Sequence, residues 1–351
     1  MLDYSPSRAN RHAVCRHIDV SNYMRIKEIH IRDYKGIDEL SLTFPRGVLP
    51  GESDICVLGS KNGIGKTSLL ECCAILIMAA KGHLEHRYDD KMDVVRCGAK
   101  MAVIEGCLEE SQQIQTIKII IYKEGRIKTE PSANTNRFSN KTYVLNDILG
   151  VQPDPIVSEG MLFMHGFRKI KEESPSLGMI LRDENNQQNL INKWRGTPSP
   201  FKQTIIKYIM ASADLFGDKT SKDDLSAMDT LDYLLHSYAD VSLGKLRPHE
   251  DNTIDIMVKS INDDSITFSI DGLSSGQKEI ISTLFLIWDI TQKKPHIVLI
   301  DEPELHLNSQ WHRKFIHRLL KLAPDNQYII ATHSEQIMDA VRPESRILLE
   351  R

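Results

Sequence analysis

Two apolar–polar alternations open the ordered part of the chain, at 24–31 and 37–44 in MRIKEIHIRDYKGIDELSLTF, and the intervening RDYKG predicts that they pair as a hairpin. An unbroken apolar run, ICVLG at 55–59, predicts a strand buried on both faces. A glycine-rich loop follows, then a helix over about 66–81. Its segment LLECCAILIMAA, Leu69 to Ala80, is apolar all round; it is too short to cross a bilayer and carries Glu71, so it predicts a buried helix. Period-two signals return between about 101 and 130 with KEGR as the turn, and SANTNRFSNK at 132–141 reads as a polar loop.

Between about 175 and 240 the texture changes to helices separated by polar breaks. Phe201, Ile205, Tyr208 and Ile209 share one helical face, as do Leu225, Met228, Leu231, Leu235 and Tyr238. Strand signals resume at TIDIMVKS and SITFSI, hinged by INDD. The last eighty residues then alternate helix (277–291), strand (296–300), helix (310–322), strand (327–331), helix (335–341) and strand (346–349), the pattern of a parallel sheet. Four segments result: an N-terminal extension at 1–23, an N-terminal lobe at 24–174, a helical insertion at 175–250 and a C-terminal lobe at 251–351. The 206 residues between Lys66 and Leu273 leave no room for a long coiled-coil arm.

Composition narrows this little. A chain of 351 residues with 41% hydrophobic side chains fills a sizeable core. A net charge of −4 gives no global attraction to nucleic acid and leaves only a local basic face for that purpose. Six cysteines without CxxC or zinc-type spacing point to a reducing, cytoplasmic compartment and to no membrane association.

The chemistry lies in four short stretches. VLGSKNGIGKTSLL, 57–70, is a phosphate-binding loop whose opening glycine is displaced to Gly59, with Ser60 in its place. Ser60, Asn62, Gly63, Gly65 and Ser68 shape an anion cradle at a helix N-terminus, Lys66 reaches the β- and γ-phosphates, and Thr67 supplies a hydroxyl to Mg²⁺. HIVLIDEPELHL, 296–307, ends a buried strand in two carboxylates: Asp301 for the metal, Glu302 to polarise an attacking water. LSSGQKE, 273–279, opens a helix, as a second anion site or as simple N-capping. THS, 332–334, places His333 after a strand, where it meets a γ-phosphate or the water.

The ordered set GSKNGIGKTS, LSSGQ, VLIDEPELHL and ATHS resembles the ABC-type ATPase heads, in the branch of RecF-like, SMC-like and OLD-like ATPases, and covers Met24 to Leu349. The resemblance implies an α/β P-loop NTPase fold with a mixed, largely parallel core sheet, an antiparallel β subdomain and a helical insertion. It implies ATP and Mg²⁺ as cofactors, and a head-to-tail homodimer in which Ser274 and Gly276 of one chain bind the γ-phosphate held by Lys66 of the other. Ser275 stands where a glycine is usual, and Asn308 where many relatives carry the aspartate of the D-loop. For the family's Q-loop glutamine the candidates are Gln112, Gln113, Gln115 and Gln152; near the adenine they are Arg32, Tyr34 and Lys35.

FMHGFRK, 163–169, and the tail from Trp311 to Ser345 further resemble stand-alone antiphage-defence ATPases of the Septu, retron-associated and PARIS types, which implies that Arg168 contacts phosphate or the partner head. Only 18 residues follow His333, so the expected effector is a separate polypeptide, a nuclease, controlled by an ATP-driven dimer or larger assembly. Direct DNA binding of the RecF kind is the competing expectation, and a nucleotide-gated scaffold with negligible turnover is a third.

Overall fold

The computed structural model describes residues 24–47, 52–59, 65–89, 92–131, 145–149, 155–166, 199–212, 222–250, 253–263 and 265–349. The expected loop at 132–141, the residues Ser60, Asn62, Gly63, Gln152 and Arg168, and the N-terminal extension lie outside the described residues.

The opening hairpin forms as the alternation predicts. β1 (Met24–Tyr34) and β2 (Ile37–Thr43) pair antiparallel, with Tyr34 opposite Ile37. β1 also pairs with β4 (Met101–Glu110), which continues through β5 (Gln113–Tyr122) to β6 (Ile127–Glu130), giving a five-stranded antiparallel sheet in the order β2-β1-β4-β5-β6.

The second sheet has six strands. β3 (Asp54–Gly59), β7 (Ile156–Ser158), β8 (Met161–Met164), β12 (Ile297–Asp301), β13 (Gln327–Thr332) and β14 (Arg346–Leu348) run in the order β14-β3-β13-β12-β8-β7. All but the β7–β8 pair are parallel. Every residue of β3, β12 and β13 is buried, which is why they read as unbroken apolar runs and not as alternations.

Helix α1 (Lys66–Ala80) contacts β1, β4 and β5 of the antiparallel sheet and β8, β12 and β13 of the parallel one. Leu69 to Ala79 are all buried, so the all-round apolar character marks a helix between two sheets. Gly106 on β4 gives Leu76 its space: a Cβ there would stand 2.2 Å from Leu76 Cδ2. A short α2 (Leu145–Leu149) packs on α1.

On the other face of the parallel sheet a second core gathers α3 (Pro200–Ser212), α4 (Lys222–Ala239), α5 (Ser275–Thr291), α6 (Ser309–Leu322) and α7 (Glu335–Asp339). Phe201, Ile205, Leu231, Leu235 and Tyr238 are buried there, as their spacing predicts. The helices end at Ala239, in line with the texture change near 240, and the rest of the segment drawn to 250 is a strand, β9 (Val241–Pro248), pairing antiparallel with β10 (Ile254–Ser260), which also carries β11 (Thr267–Ser269). The described helices are part of the core: α3 and α4 pack on α5, and buried Lys202 donates to Asp271 at 2.7 Å.

One side chain ties the sheets together directly. Gln327, at the start of β13, accepts from the Ile26 N–H at 2.7 Å and donates to the Ile26 carbonyl at 2.8 Å. Ile26 sits where the β1–β4 register shifts, and the amide serves its backbone as a partner strand would. Both residues are essentially inaccessible to solvent. Gln327→Leu strands two buried backbone groups and is expected to lower stability by about 2–4 kcal/mol in urea denaturation, whereas a loss below about 1 kcal/mol would show that the tie is dispensable.

Candidate nucleotide site at the edge of the parallel sheet

β3, β13 and β12 end at one edge of the sheet, with Gly59 opposite Thr332 and Asp301 opposite Ala331. Parallel strands deliver their C-terminal residues to the same side, so stretches separated by more than two hundred residues in the sequence meet there. α1 starts from Gly65, whose φ of 94° lies in the left-handed region that glycine adopts without steric cost. A Cβ at Gly65 would also stand 2.8 Å from Ile37 Cγ1, so the β1–β2 turn closes on the helix entry.

Five of the sequence-predicted residues converge. Thr67 Oγ1 donates to Asp301 Oδ2 at 2.9 Å. Lys66 Nζ lies 3.4 Å from His333 Nδ1, and His333 Nε2 lies 3.3 Å from Glu302 Oε1. With the ammonium as donor, Nδ1 is the acceptor, which places the imidazole hydrogen on Nε2, facing the carboxylate. Burial pushes the Lys66 ammonium below its usual range, opposed by the charges of Glu302, Asp301 and Glu304. A phosphate brought to this ammonium would act in the same direction as the carboxylates.

Mg²⁺ takes one or two protein oxygens and fills its remaining positions with water and phosphate. A hydroxyl and a carboxylate one hydrogen bond apart, beside a helix N-terminus, fit that requirement. No group of three or more metal-binding His, Cys, Asp or Glu side chains occurs among the described residues.

The 273–279 stretch shows the N-capping reading in full. Ser274 caps α5 in a capping box: its hydroxyl accepts from Gln277 N at 3.3 Å, and Gln277 Oε1 accepts from Ser274 N at 2.9 Å. Gly276 has a reason within its own chain, since a Cβ there would stand 2.4 Å from the His306 carbonyl. The start of α5 therefore rests on the loop that follows Asp301 and Glu302. Asn308 caps α6, accepting from Gln310 N at 3.0 Å.

Of the other candidates, two are engaged elsewhere and three lie away from this edge. Tyr34 is fully buried and donates to Glu71 Oε2 at 3.2 Å, and Lys35 Nζ lies 2.7 Å from both Glu71 oxygens. Lys35 thus offsets the charge of a buried carboxylate of α1, to which Tyr34 adds a hydrogen bond, and buried Tyr34 offers no face to an adenine. Arg32 is exposed on β1 opposite Glu39. Gln112, Gln113 and Gln115 belong to the β4–β5 hairpin, whose turn lies at the far end of the fold: Arg25, opposite Glu109, pairs at 3.1 Å with Asp54, the first residue of β3. They are removed from the Gly59 edge.

The edge position beside β12 belongs to His165. It follows Met164, which pairs with Ile300, and is buried with its ring 4.1 Å from that of Phe163. A Cβ on the next residue, Gly166, would lie 3.5 Å from Glu302 Oε2 and 3.6 Å from Asp301 Oδ2. The signal was present in the sequence as an apolar strand, MLFM, ending in His-Gly. Glu304, also not anticipated, accepts from Thr332 Oγ1 at 2.7 Å and from His333 N at 2.5 Å.

The fold has counterparts among solved structures. The fold matches an SMC head solved with the C-terminal winged-helix domain of ScpA, with a TM-score of 0.54 and 14% identity over 90% of this chain and 91% of that one. Sheet order and this likeness give the chain the fold of a P-loop NTPase of the ABC-ATPase head type. Residues 111–339, more than half of the chain, match the family described as "AAA domain, putative AbiEii toxin, Type IV TA system", and the chain belongs to that family. It is 32% identical over 103 residues to the Retron Ec83 probable ATPase of Escherichia coli, covering 26% of this chain and 18% of that protein. It is also 32% identical over 110 residues to the Retron Vc95 probable ATPase of Vibrio cholerae serotype O1 biovar El Tor, covering 28% and 20%. The matches thus span about a fifth of the length of these curated relatives.

Gly276→Ala forces the His306 carbonyl to move. The expected result is a folded protein destabilised by about 1–3 kcal/mol, with faster amide exchange across 302–308 than in the parent. Unchanged exchange in that loop would mean that the contact does not hold it.

Proposed function

We propose that the chain is an ATP-hydrolysing ABC-type head that dimerises head-to-tail through ATP and regulates a separate effector, a nuclease, in bacterial antiphage defence. The observation that carries the catalytic part is the continuous contact from Lys66 through His333 to Glu302, beside the Thr67–Asp301 pair. The likeness to two retron-associated probable ATPases supports the defence setting.

In this reading Lys66 neutralises the β- and γ-phosphates, with Ser60, Asn62, Gly63, Gly65 and Ser68 shaping the loop around them. Thr67 and Asp301 hold Mg²⁺, which when bound offsets the charge on the phosphate oxygens. Glu302 accepts the proton of the attacking water as its oxygen bonds to the γ-phosphorus and the β–γ bridge breaks. His333, held between Lys66 and Glu302, keeps that carboxylate in line. Ser274 and Arg168 reach the partner's nucleotide or head, and the cytoplasm is the compartment. No helix among the described residues is long and apolar enough to cross a membrane.

Glu302→Gln keeps the oxygen geometry and removes the base. It is expected to lower turnover by at least about a hundredfold while accumulating an ATP-bound dimer in sedimentation velocity, with Lys66→Ala giving neither turnover nor dimer. Parental turnover in Glu302→Gln would remove that residue from its role.

One observation favours a second reading, direct contact with nucleic acid. α6 contains no carboxylate and carries Arg313, Lys314, Arg318 and Lys321, in a chain of net charge −4. Arg313, Lys314 and Lys321 are exposed and have no ion-pair partner among the described residues; Arg318 lies over the Tyr233 ring. None of the exposed large apolar side chains belongs to this helix, so the face offers charge without the apolar anchors of a protein interface. Replacing Arg313, Lys314 and Lys321 together by Ala is expected to reduce the slope of log affinity against log salt by about 2–3 on duplex DNA. An unchanged slope would assign the face to solvent.

A further inference from the structure

The loop after β12 is held in an unusual shape. Glu302 has φ of 46° and His306 φ of 64°, left-handed values that L side chains adopt only when their surroundings fix them. Between the two lies Glu304, whose carboxylate reaches across to the end of β13. Its Oε2 accepts from the Thr332 hydroxyl at 2.7 Å, and its Oε1 from the His333 backbone N–H at 2.5 Å. Thr332, inaccessible to solvent, uses its hydroxyl oxygen to accept from Ser334 N at 2.9 Å. Ser334 in turn caps α7 and bonds His312 Nδ1 at 2.9 Å, while His312 Nε2 lies 3.3 Å from the Leu307 carbonyl.

We infer that Glu304 is the positioning residue of His333: its carboxylate fixes the 332–334 backbone so that the imidazole stands between Lys66 and Glu302. The chemistry demands a carboxylate. Two donors, one N–H and one O–H, point at two different oxygens, and an ionised carboxylate is the side chain that accepts at both. An amide offers one acceptor and turns a donor toward the other group. Because Glu304 shares its loop with His306, on whose carbonyl Gly276 rests, the start of α5 and His333 are braced by the same six-residue turn, 302–307. Asn308, engaged as the α6 cap, is not part of this brace.

The turnover arm of the test rests on the ATPase reading above; the spectroscopic arm does not. In ¹⁵N-histidine-labelled full chain, the His333 amide, identified by its loss in His333→Ala, is expected downfield in the parent and shifted upfield in Glu304→Ala, with Glu304→Gln intermediate. An unmoved His333 amide overturns the inference whether or not the protein hydrolyses ATP. In the turnover arm, Glu304→Ala is expected to lower kcat more than tenfold with KM for ATP within about twofold, and to have less than a twofold effect on kcat in the His333→Ala background. An equal loss in both backgrounds means that Glu304 acts independently of His333 and also overturns it. Thr332→Val, which keeps the volume and removes one of the two donors to Glu304 together with the acceptor for Ser334 N, is expected to leave the His333 amide nearer its parental position than Glu304→Ala does. Should the wild-type chain show no turnover, the proposed function fails and the amide shift alone decides the role of Glu304.

Discussion

The register of β13 between β3 and β12 sets the positions of all the groups at the candidate site. It puts Gly59 opposite Thr332 and Asp301 opposite Ala331, so the helix entry, the two carboxylates and the histidine leave the sheet at one level. Side chains alternate along a strand, and a slip by one residue would turn Asp301 to the opposite face of the sheet and break its bond with Thr67. The strands are buried on both faces, with Val57, Leu299, Ile300, Ile329 and Ile330 inaccessible to solvent, so the polar ends, Asp301 and Thr332, are what a slip would misplace.

That sheet is braced from both sides. α1 fills the space between it and the antiparallel sheet, and Gln327 bonds the backbone of β1 directly. The buried carboxylate of Glu71 is met by Lys35 and Tyr34, which fixes the β1–β2 turn over Gly65. On the opposite face α3, α4 and α5 form a continuous apolar core, so the start of α5 is carried on the same rigid body as the strand ends. The loop from Glu302 to His306 pays a backbone cost within this frame and is held by hydrogen bonds at Glu302 N, Glu304 and Leu305 N.

Much of this was legible in the sequence. The C-terminal alternation gave β12, α6, β13, α7 and β14 to within a residue or two, because each element has a strong period and a polar break on either side. Lys66, Thr67, Asp301, Glu302 and His333 were legible because a phosphate loop and a strand ending in Asp-Glu have local signatures. What was not legible depends on pairing between distant segments. The place of His165 beside the site shows only once β8 is known to lie next to β12, and three of the four glutamine candidates fall on the β4–β5 hairpin, away from the strand ends. Tyr34 looked available for a nucleotide because its turn was predicted, while the Glu71 it serves is fixed by how α1 packs. Glu304 lay in plain view two residues after Glu302; its function depends on the strand that ends beside it. The end of the helical texture near 240 was legible, whereas the strand Val241–Pro248 that follows it after one residue was not picked out, because its side chains are only partly buried and its apolar alternation is weak.

The central claim is that three separated stretches form a single nucleotide site on a shared frame, completed in the dimer by the 273–279 stretch of the partner chain. Hydrogen exchange followed by mass spectrometry on the full chain, with and without ATP and Mg²⁺, tests it most directly. The account predicts slower exchange together in 65–70, 301–306 and 332–334, with added protection at 274–277 at protein concentrations that favour the dimer. ATP-independent exchange at 65–70 and 301–306, or protection confined to other segments, would contradict it.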